Sequence, residues 1–352
     1  MAGKSSSYRL CLCFSTENIY IDAFIHNYEK NRFLWYLIDP LEVEEANEVV
    51  EETQRIIKPT FIGPKNAPLY FGCAYVKSKF FTIGGCSPGA TWMDPLKPYD
   101  SVFVCDPFSS STSNQWLSAT NMNGPKEEPL VVVPPPSFGD QRDVVFAFGS
   151  ESDPINFMEK LSCDPYTGEW KWTIIPPPSE YPRFYYKYKK VYRAGFAIID
   201  GNRKLLVLTF HGLLIFNMDT NMWDCDIEKP RSNYPSINKY GTYFGQVPIV
   251  DNVWYVRDDR LEGKVFGFDL QTQKWFEVCN VVSEKYLTHF LVQIGDKSIG
   301  LVCAKESLEQ WEVYCIVFEV QKNSDGSLRA CNLSKTPSYF GEGIRFLHCV
   351  VL

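Results

Sequence analysis

Asp164-Pro-Tyr-Thr167-Gly-Glu-Trp170, Asn217-Met-Asp-Thr220-Asn-Met-Trp223 and Asp269-Leu-Gln-Thr272-Gln-Lys-Trp275 share one pattern, Asp/Asn-x-x-Thr-x-x-Trp. Together with Trp116 they space four tryptophans at intervals of 54, 53 and 52 residues. A repeat of this length marks one supersecondary unit that is copied and stacked. Working outward from each Trp, the units follow one script. An aromatic-Gly pair opens the unit, two or three short apolar runs follow, an Asp or Asn closes the third, and the Trp begins the last.

The first clear copy runs from Tyr70-Phe71-Gly72 through Cys73–Val76, Phe80–Ile83, Gly84-Gly85 and Ser101–Cys105 to Asp106 and Trp116. The second holds Val144–Phe148, Gly149 and Lys160–Cys163. The third holds Phe196–Ile199, Lys204–Leu208 and Leu213–Phe216. The fourth holds Val247–Val250, Val253–Val256 and Val265–Phe268. A fifth, degenerate copy holds Phe290–Ile294, Ile299–Cys303 and Val313–Val320, with Leu328 near the place of the missing Trp. These runs are short, β-branched and aromatic, and are broken by turn residues, so they read as four strands to a unit. The exception is Leu41–Ile57, acidic with apolar residues three and four apart, which reads as a helix ended by Pro59.

The two chain ends complete the count. Tyr339-Phe340-Gly341 repeats the opening signature, and Arg345–Leu352 supplies one apolar strand. Tyr8–Phe14, Ile19–Ile25 and Phe33–Ile38 supply the rest. The expectation is a single all-β domain over 1–352, a six-unit ring closed by N- and C-terminal strands. Its units are 8–66 with 339–352, then 67–130, 131–182, 183–238, 239–284 and 285–338. Closure removes exposed sheet edges; an open solenoid is the rival arrangement.

An apolar run, Gly-Gly, a strand ending in Asp and a Trp shortly after: this resembles the kelch repeat. The resemblance spans Tyr8 to Leu352, although only Gly84-Gly85 keeps the double glycine. It implies a six-bladed kelch-like β-propeller. It is similar to the propeller part of plant F-box/kelch proteins, without an F-box, for which the residues ahead of Tyr8 are too few. In such a blade the Gly pair permits positive φ and a close neighbour. The Asp or Asn caps turn amides, and the Trp fills the wide outer wedge.

The net charge of −7 disfavours nucleic acid, which needs a basic face. No apolar run reaches the ~18–20 residues of a membrane span. The N-terminus lacks the apolar core of a signal peptide. A cytoplasmic or nuclear monomer is expected. Twelve scattered cysteines without a Cys-x-x-Cys pair read as buried structural thiols. No metal or cofactor is expected. Asn18, Asp22 and His26 share the spacing at which plant kelch specifier proteins hold iron, but Asn18 stands where a carboxylate is needed, so the match reads as coincidence.

No strong catalytic motif is present. The segments that lead into each unit are aromatic and cationic, the residue types that anchor binding surfaces. They nominate Tyr70, Arg193, Tyr243, Tyr286 and Arg345 as binding residues, with a protein or small molecule as the partner at the channel mouth. His289 and Tyr339 are the candidate acid–base pair of the alternative reading, a cofactor-free isomerase, cyclase or lyase of plant specialised metabolism. Fold alone does not decide between them.

Overall fold

The computed structural model describes residues 10–15, 33–38, 55–64, 67–87, 97–108, 115–127, 129–134, 143–149, 157–177, 195–199, 203–209, 212–224, 245–246, 248–258, 264–272, 274–281, 288–295, 297–306, 310–342 and 345–351. The chain is all-β: among the described residues there are strands and turns but no helix. No described helix is therefore long and apolar enough to cross a membrane. The helix expected over Leu41–Ile57 falls outside the described residues up to position 54. Its end is not helical: Arg55–Ile56 is a short strand, parallel to Tyr339–Glu342.

The strands gather into antiparallel sheets in the order of the repeat. The first sheet carries both chain ends. Arg345–Val351 pairs with Leu10–Ser15, which pairs with Phe33–Ile38 and then Phe61–Ile62. The second orders Gly72–Val76, Lys79–Ile83, Val102–Cys105 and Leu117–Ser118. The third orders Leu130–Val132, Val144–Phe148, Met158–Cys163 and Trp170–Ile175. The fourth orders Gly195–Ile199, Lys204–Thr209, Gly212–Asn217 and Met222–Asp224, with Gly245–Gln246 added in parallel beside Gly195–Ile199. A ten-stranded sheet follows, whose main path is two antiparallel runs of four. Ile249–Val250 to Lys274–Cys279 is one, and Thr288–Gln293 to Leu328–Lys335 the other. Their outermost strands join in parallel at Val278 and Leu328.

The core lies between sheets rather than inside any one of them. Side chains alternate across a strand with period two. In Leu10–Ser15, Leu10, Leu12 and Phe14 face the Thr288–Lys335 run, packing with Val292, Trp311 and Val313. Cys11 and Cys13 face the second sheet, packing with Phe71 and Phe80. The second and third sheets meet through Phe81, Ile83, Val145 and Leu161. The third and fourth meet through Phe146, Phe148, Leu205 and Phe216. Val253, Tyr255, Leu301 and Phe318 join the two halves of the ten-stranded sheet. A strand covered on both faces needs apolar residues at every position, which explains continuous runs such as Phe33-Leu-Trp-Tyr-Leu-Ile38.

The Asp/Asn-x-x-Thr turns behave as expected. Asp164 Oδ1 accepts from the amides of Tyr166 and Thr167 at 2.8 and 2.9 Å. Asn217 Oδ1 does so for Asp219 and Thr220, and Asp269 Oδ1 for Gln271 and Thr272. Asp269 also receives the Lys322 ammonium across the joined sheets. The Lys322 hydrogen bond, aided by the turn amides, pulls its carboxyl down to about 2. Because the folded value lies below the unfolded one, this stabilisation is complete above about pH 4 and fades as pH falls towards 2. With Lys322 partly exposed and screened, the contribution is roughly 1–2 kcal/mol. Acid titration of unfolding free energy should show this loss in the wild type, and Asp269→Asn should flatten it over the same window.

The repeating tryptophans require a correction. Trp116, Trp170, Trp223 and Trp275 are half-buried, packed against core clusters rather than filling them. Among the described residues the fully buried tryptophans are Trp35, Trp254 and Trp311, which lie off the repeat. Three of the repeating rings, Trp116, Trp170 and Trp223, tie one sheet to the previous one, while Trp275 packs on Phe268 of its own run. Trp116 Nε1 donates to Ile62 O at 2.7 Å, and Trp223 Nε1 to Pro176 O at 2.9 Å. In the third sheet Trp172 takes that part, donating to Thr120 O, while Trp170 lies edge-on to Phe81 of the second sheet. An indole at this wedge contributes a buried face and one directed N–H.

Candidate functional site: a loop platform over the second and third sheets

The best-defined loop cluster stands where the chain turns into Gly72–Val76. Leu69 and Cys86 exchange backbone hydrogen bonds at 2.8 Å each way. Tyr99 N donates to Gly85 O, Lys126 N to Tyr99 O, and Gly85 N to Lys126 O, at 2.8–3.0 Å. Glycine is obligatory here. Gly85 has φ +105°, and a Cβ on it would lie 2.4 Å from Leu69 O. Gly72 is pressed against the third sheet, where a Cβ would meet Val131 Cγ2 at 2.2 Å. Tyr70, two residues ahead of Gly72, holds φ +54° without being glycine. A bulky residue in the left-handed region is uncommon, and such strain gathers at functional positions.

Beneath the platform lies a wholly buried ion pair. Lys126 Nζ stands 3.1 Å from Glu159 Oε1, and both side chains have 0% exposure. Glu159 is otherwise caged by the loop. Its Oε2 accepts from Asn123 N and Nδ2 at 2.7 and 2.8 Å, and its Oε1 from Gly124 N at 3.0 Å. Four donors on one carboxylate satisfy a charge that burial would otherwise make costly. The pair fixes the 123–126 loop of one sheet to the Met158–Cys163 strand of the next.

The described nominated residues fall in three groups. Tyr70 is half-buried on the platform, against the cluster that holds Trp35 and Phe71. Tyr339 is buried at 4% exposure, opposite Val313 and Arg55, in the cluster with Leu10, Phe14 and Trp311. His289 lies near the start of its sheet's end strand, across from Cys303, and Arg345 opens the C-terminal strand, across from Ser15. Arg193, Tyr243 and Tyr286 lie outside the described residues, as do Asn18, Asp22 and His26. Among the described residues, no group of three or more His, Cys, Asp or Glu is placed to hold a metal.

Sequence reasoning missed Lys126 and Glu159. Lys126-Glu-Glu reads as a solvated loop, and only Asn123-Gly124-Pro125 ahead of it signals a turn with amides to offer. It expected the cysteines inside, and among the described ones Cys11, Cys13, Cys86, Cys105, Cys303 and Cys315 are buried, whereas Cys279 is exposed.

No family model matches the sequence, and no curated protein matches it. Among solved structures the chain is similar to apo AztD from Citrobacter koseri, at 10% identity and a TM-score of 0.36, covering 98% of this chain and 97% of that one. It is similar to Hsv2 from Kluyvelomyces marxianus at 8% identity and 0.36, covering 91% and 84%. It is also similar to the N-terminal domain of Nup159 at 9% and 0.34, covering 76% and 60%. AztD and Hsv2 are β-propeller proteins. At these scores the likenesses carry no argument about function.

Proposed function

We propose that this chain is a six-bladed, kelch-type β-propeller that recognises a protein or small-molecule partner at the rim where the loops enter the innermost strands. The strand order supports six units: six antiparallel runs of four, one of them built from both chain ends. Strands that end these runs also neighbour one another. Thr288–Gln293 lies against Arg345–Val351, and Arg345–Val351 against Gly72–Val76, which lies against Leu130–Val132. The reading includes a cytoplasmic or nuclear monomer without cofactor.

The observation that carries recognition is the platform itself. Its backbone is held by glycine contacts and a buried ion pair, and it presents a strained tyrosine beside a sheet end. A surface that is rigid before binding loses little entropy on binding. Aromatic and Arg side chains on it are the expected anchors.

The test compares proteins and metabolites retained by the immobilised wild-type chain with those retained by Tyr70→Ala, Arg193→Ala and Arg345→Ala. Lys79→Ala, in the exposed hairpin at the far end of the Gly72–Val76 strand, is the control. At least one specific species should fall about tenfold or more with the rim variants and hold with the control, the loss that follows from removing one anchor. Equal loss in all four, or none in any, would rule out this rim. Turnover of a retained small molecule that disappears in His289→Ala, with an unchanged melting curve, would place the chain among enzymes instead.

A further inference from the structure

The sequence holds one Asn-Gly pair, Asn123-Gly124. Such a pair deamidates readily in an open chain, because glycine has no side chain to block attack by its own nitrogen. In this fold both reacting groups are tied to one carboxylate. Gly124 N, the nucleophile, donates to Glu159 Oε1 at 3.0 Å. Asn123 Nδ2, the group that must leave, donates to Glu159 Oε2 at 2.8 Å, and Asn123 N donates to the same oxygen at 2.7 Å. Lys126 Nζ, 3.1 Å from Oε1, balances the charge that these donors share. Gly124 is buried, whereas Asn123 is exposed and open to water.

We propose that Asn123-Gly124 is a deamidation site that the Glu159 cage holds shut, and that deamidation turns a reversible opening of the 123–126 loop into a permanent one. While the cage is formed, the Gly124 N–H stays on Oε1 and the Asn123 amide stays on Oε2, so the nitrogen is not free to turn on the side-chain carbon. When the loop opens, Gly124 N bonds to Asn123 Cγ, the Cγ–Nδ2 bond breaks, and ammonia leaves with the Gly124 proton. Water then opens the cyclic imide to aspartate or, through its other carbonyl, to isoaspartate. Neither product fits the cage. Aspartate sets a carboxylate where Nδ2 donated to Glu159 Oε2, and like charges at that distance repel. Isoaspartate also adds a methylene to the backbone between two amides that must reach one carboxylate. The loss spreads to the platform, because Lys126 of this loop accepts from Gly85 N and donates to Tyr99 O. The inference stands on the cage and needs no partner at the rim.

The experiment holds the folded wild-type protein, and the same protein unfolded in urea, in mildly alkaline buffer and follows the peptide containing Asn123 by mass spectrometry. Deamidation should be at least about tenfold slower in the folded chain, since its rate there scales with the fraction of open loop. Glu159→Gln should speed it in the folded protein, while Asn323, in an exposed turn outside the cage, keeps its wild-type rate. Asn123→Asp, which installs one product directly, should lose hydrogen-exchange protection at Gly124 and Lys126 and keep it in Val253–Asp258. If both asparagines speed up together in Glu159→Gln, that variant has unfolded, and the wild-type rates with Asn123→Asp decide the matter. Equal rates in folded and unfolded wild type overturn the proposal. So does an unchanged Asn123 rate in folded Glu159→Gln, and so does either full protection of Gly124 or uniform loss of protection in Asn123→Asp.

Discussion

Glu159→Gln should lower the free energy of unfolding by about 3–5 kcal/mol, measured by urea titration. The change keeps the volume and removes the charge, with one acceptor oxygen replaced by an amide donor. Lys126 then remains at 0% exposure with a neutral amide 3.1 Å away, and a buried ammonium without its counter-charge is among the most costly groups in a fold. The amide also brings its own donor to a position where Asn123 and Gly124 already supply three. Replacing both charges, Lys126→Met with Glu159→Leu, should recover only part of the loss. The buried Gly124 amide and the Asn123 donors would still be left without their acceptor, and an unmade buried hydrogen bond costs about 1–3 kcal/mol each. If the single variant costs under about 1 kcal/mol, the pair is not the anchor of the platform. If the proposed rim binds a partner at Tyr70, that binding should weaken along with stability, because the same loop holds Gly85 in place through Lys126 O.

Trp311→Ala should cost a further class of energy, about 3–5 kcal/mol, and should open one particular seam. Trp311 is fully buried, stacked on Phe14 at 4.2 Å and edge-on to Tyr36 at 4.8 Å. Its Nε1 donates to Glu342 O at 2.7 Å, the same carbonyl that accepts from Tyr36 Oη. Gly341 leaves room for the ring: a Cβ there would lie 2.6 Å from it. Truncation leaves a cavity too rigid to collapse, since strands on both sides are held by their own ladders. Hydrogen exchange should rise first in Leu10–Ser15 and Arg345–Val351, the paired strands from the two ends of the chain. Uniform acceleration across all sheets would instead mean that the loss is global and that the seam has no separate stability.

Much of this architecture is legible without coordinates, because it rests on local chemistry. A run such as Lys204-Leu-Leu-Val-Leu-Thr209 can only be a short strand, and an Asp or Asn three residues before Thr caps a turn with its own side chain. Even the sharing of a sheet by both ends follows from counting incomplete units. The tryptophans show where this kind of reading stops. Their spacing announces a repeat, but whether an indole fills the interior or clamps a rim depends on the neighbouring sheet. Trp223, which repeats, is half-buried, while Trp35, which does not, is wholly enclosed by Phe61, Phe71 and Phe80.

The candidate site divides along the same line. Tyr70 stands out in the sequence because Tyr-Phe-Gly recurs, but its left-handed turn is not shared by Tyr339, which lies in an extended strand. Tyr339 shares the signature, yet its side chain ends in the packed cluster around Trp311. The same three letters thus serve a loop in one unit and a core in another.

By itself the order of residues determined most of the strands, the repeat length, the turn caps and the pairing of the two ends, since each is a matter of neighbours along the chain or of period-two alternation. Tertiary structure alone decided which face meets which sheet, that Lys126 and Glu159 neutralise each other out of water, and that Cys11 and Cys13 face the second sheet. Those are contacts between segments far apart in the chain, and no local propensity encodes the partner that makes a charge or a thiol tolerable in the interior.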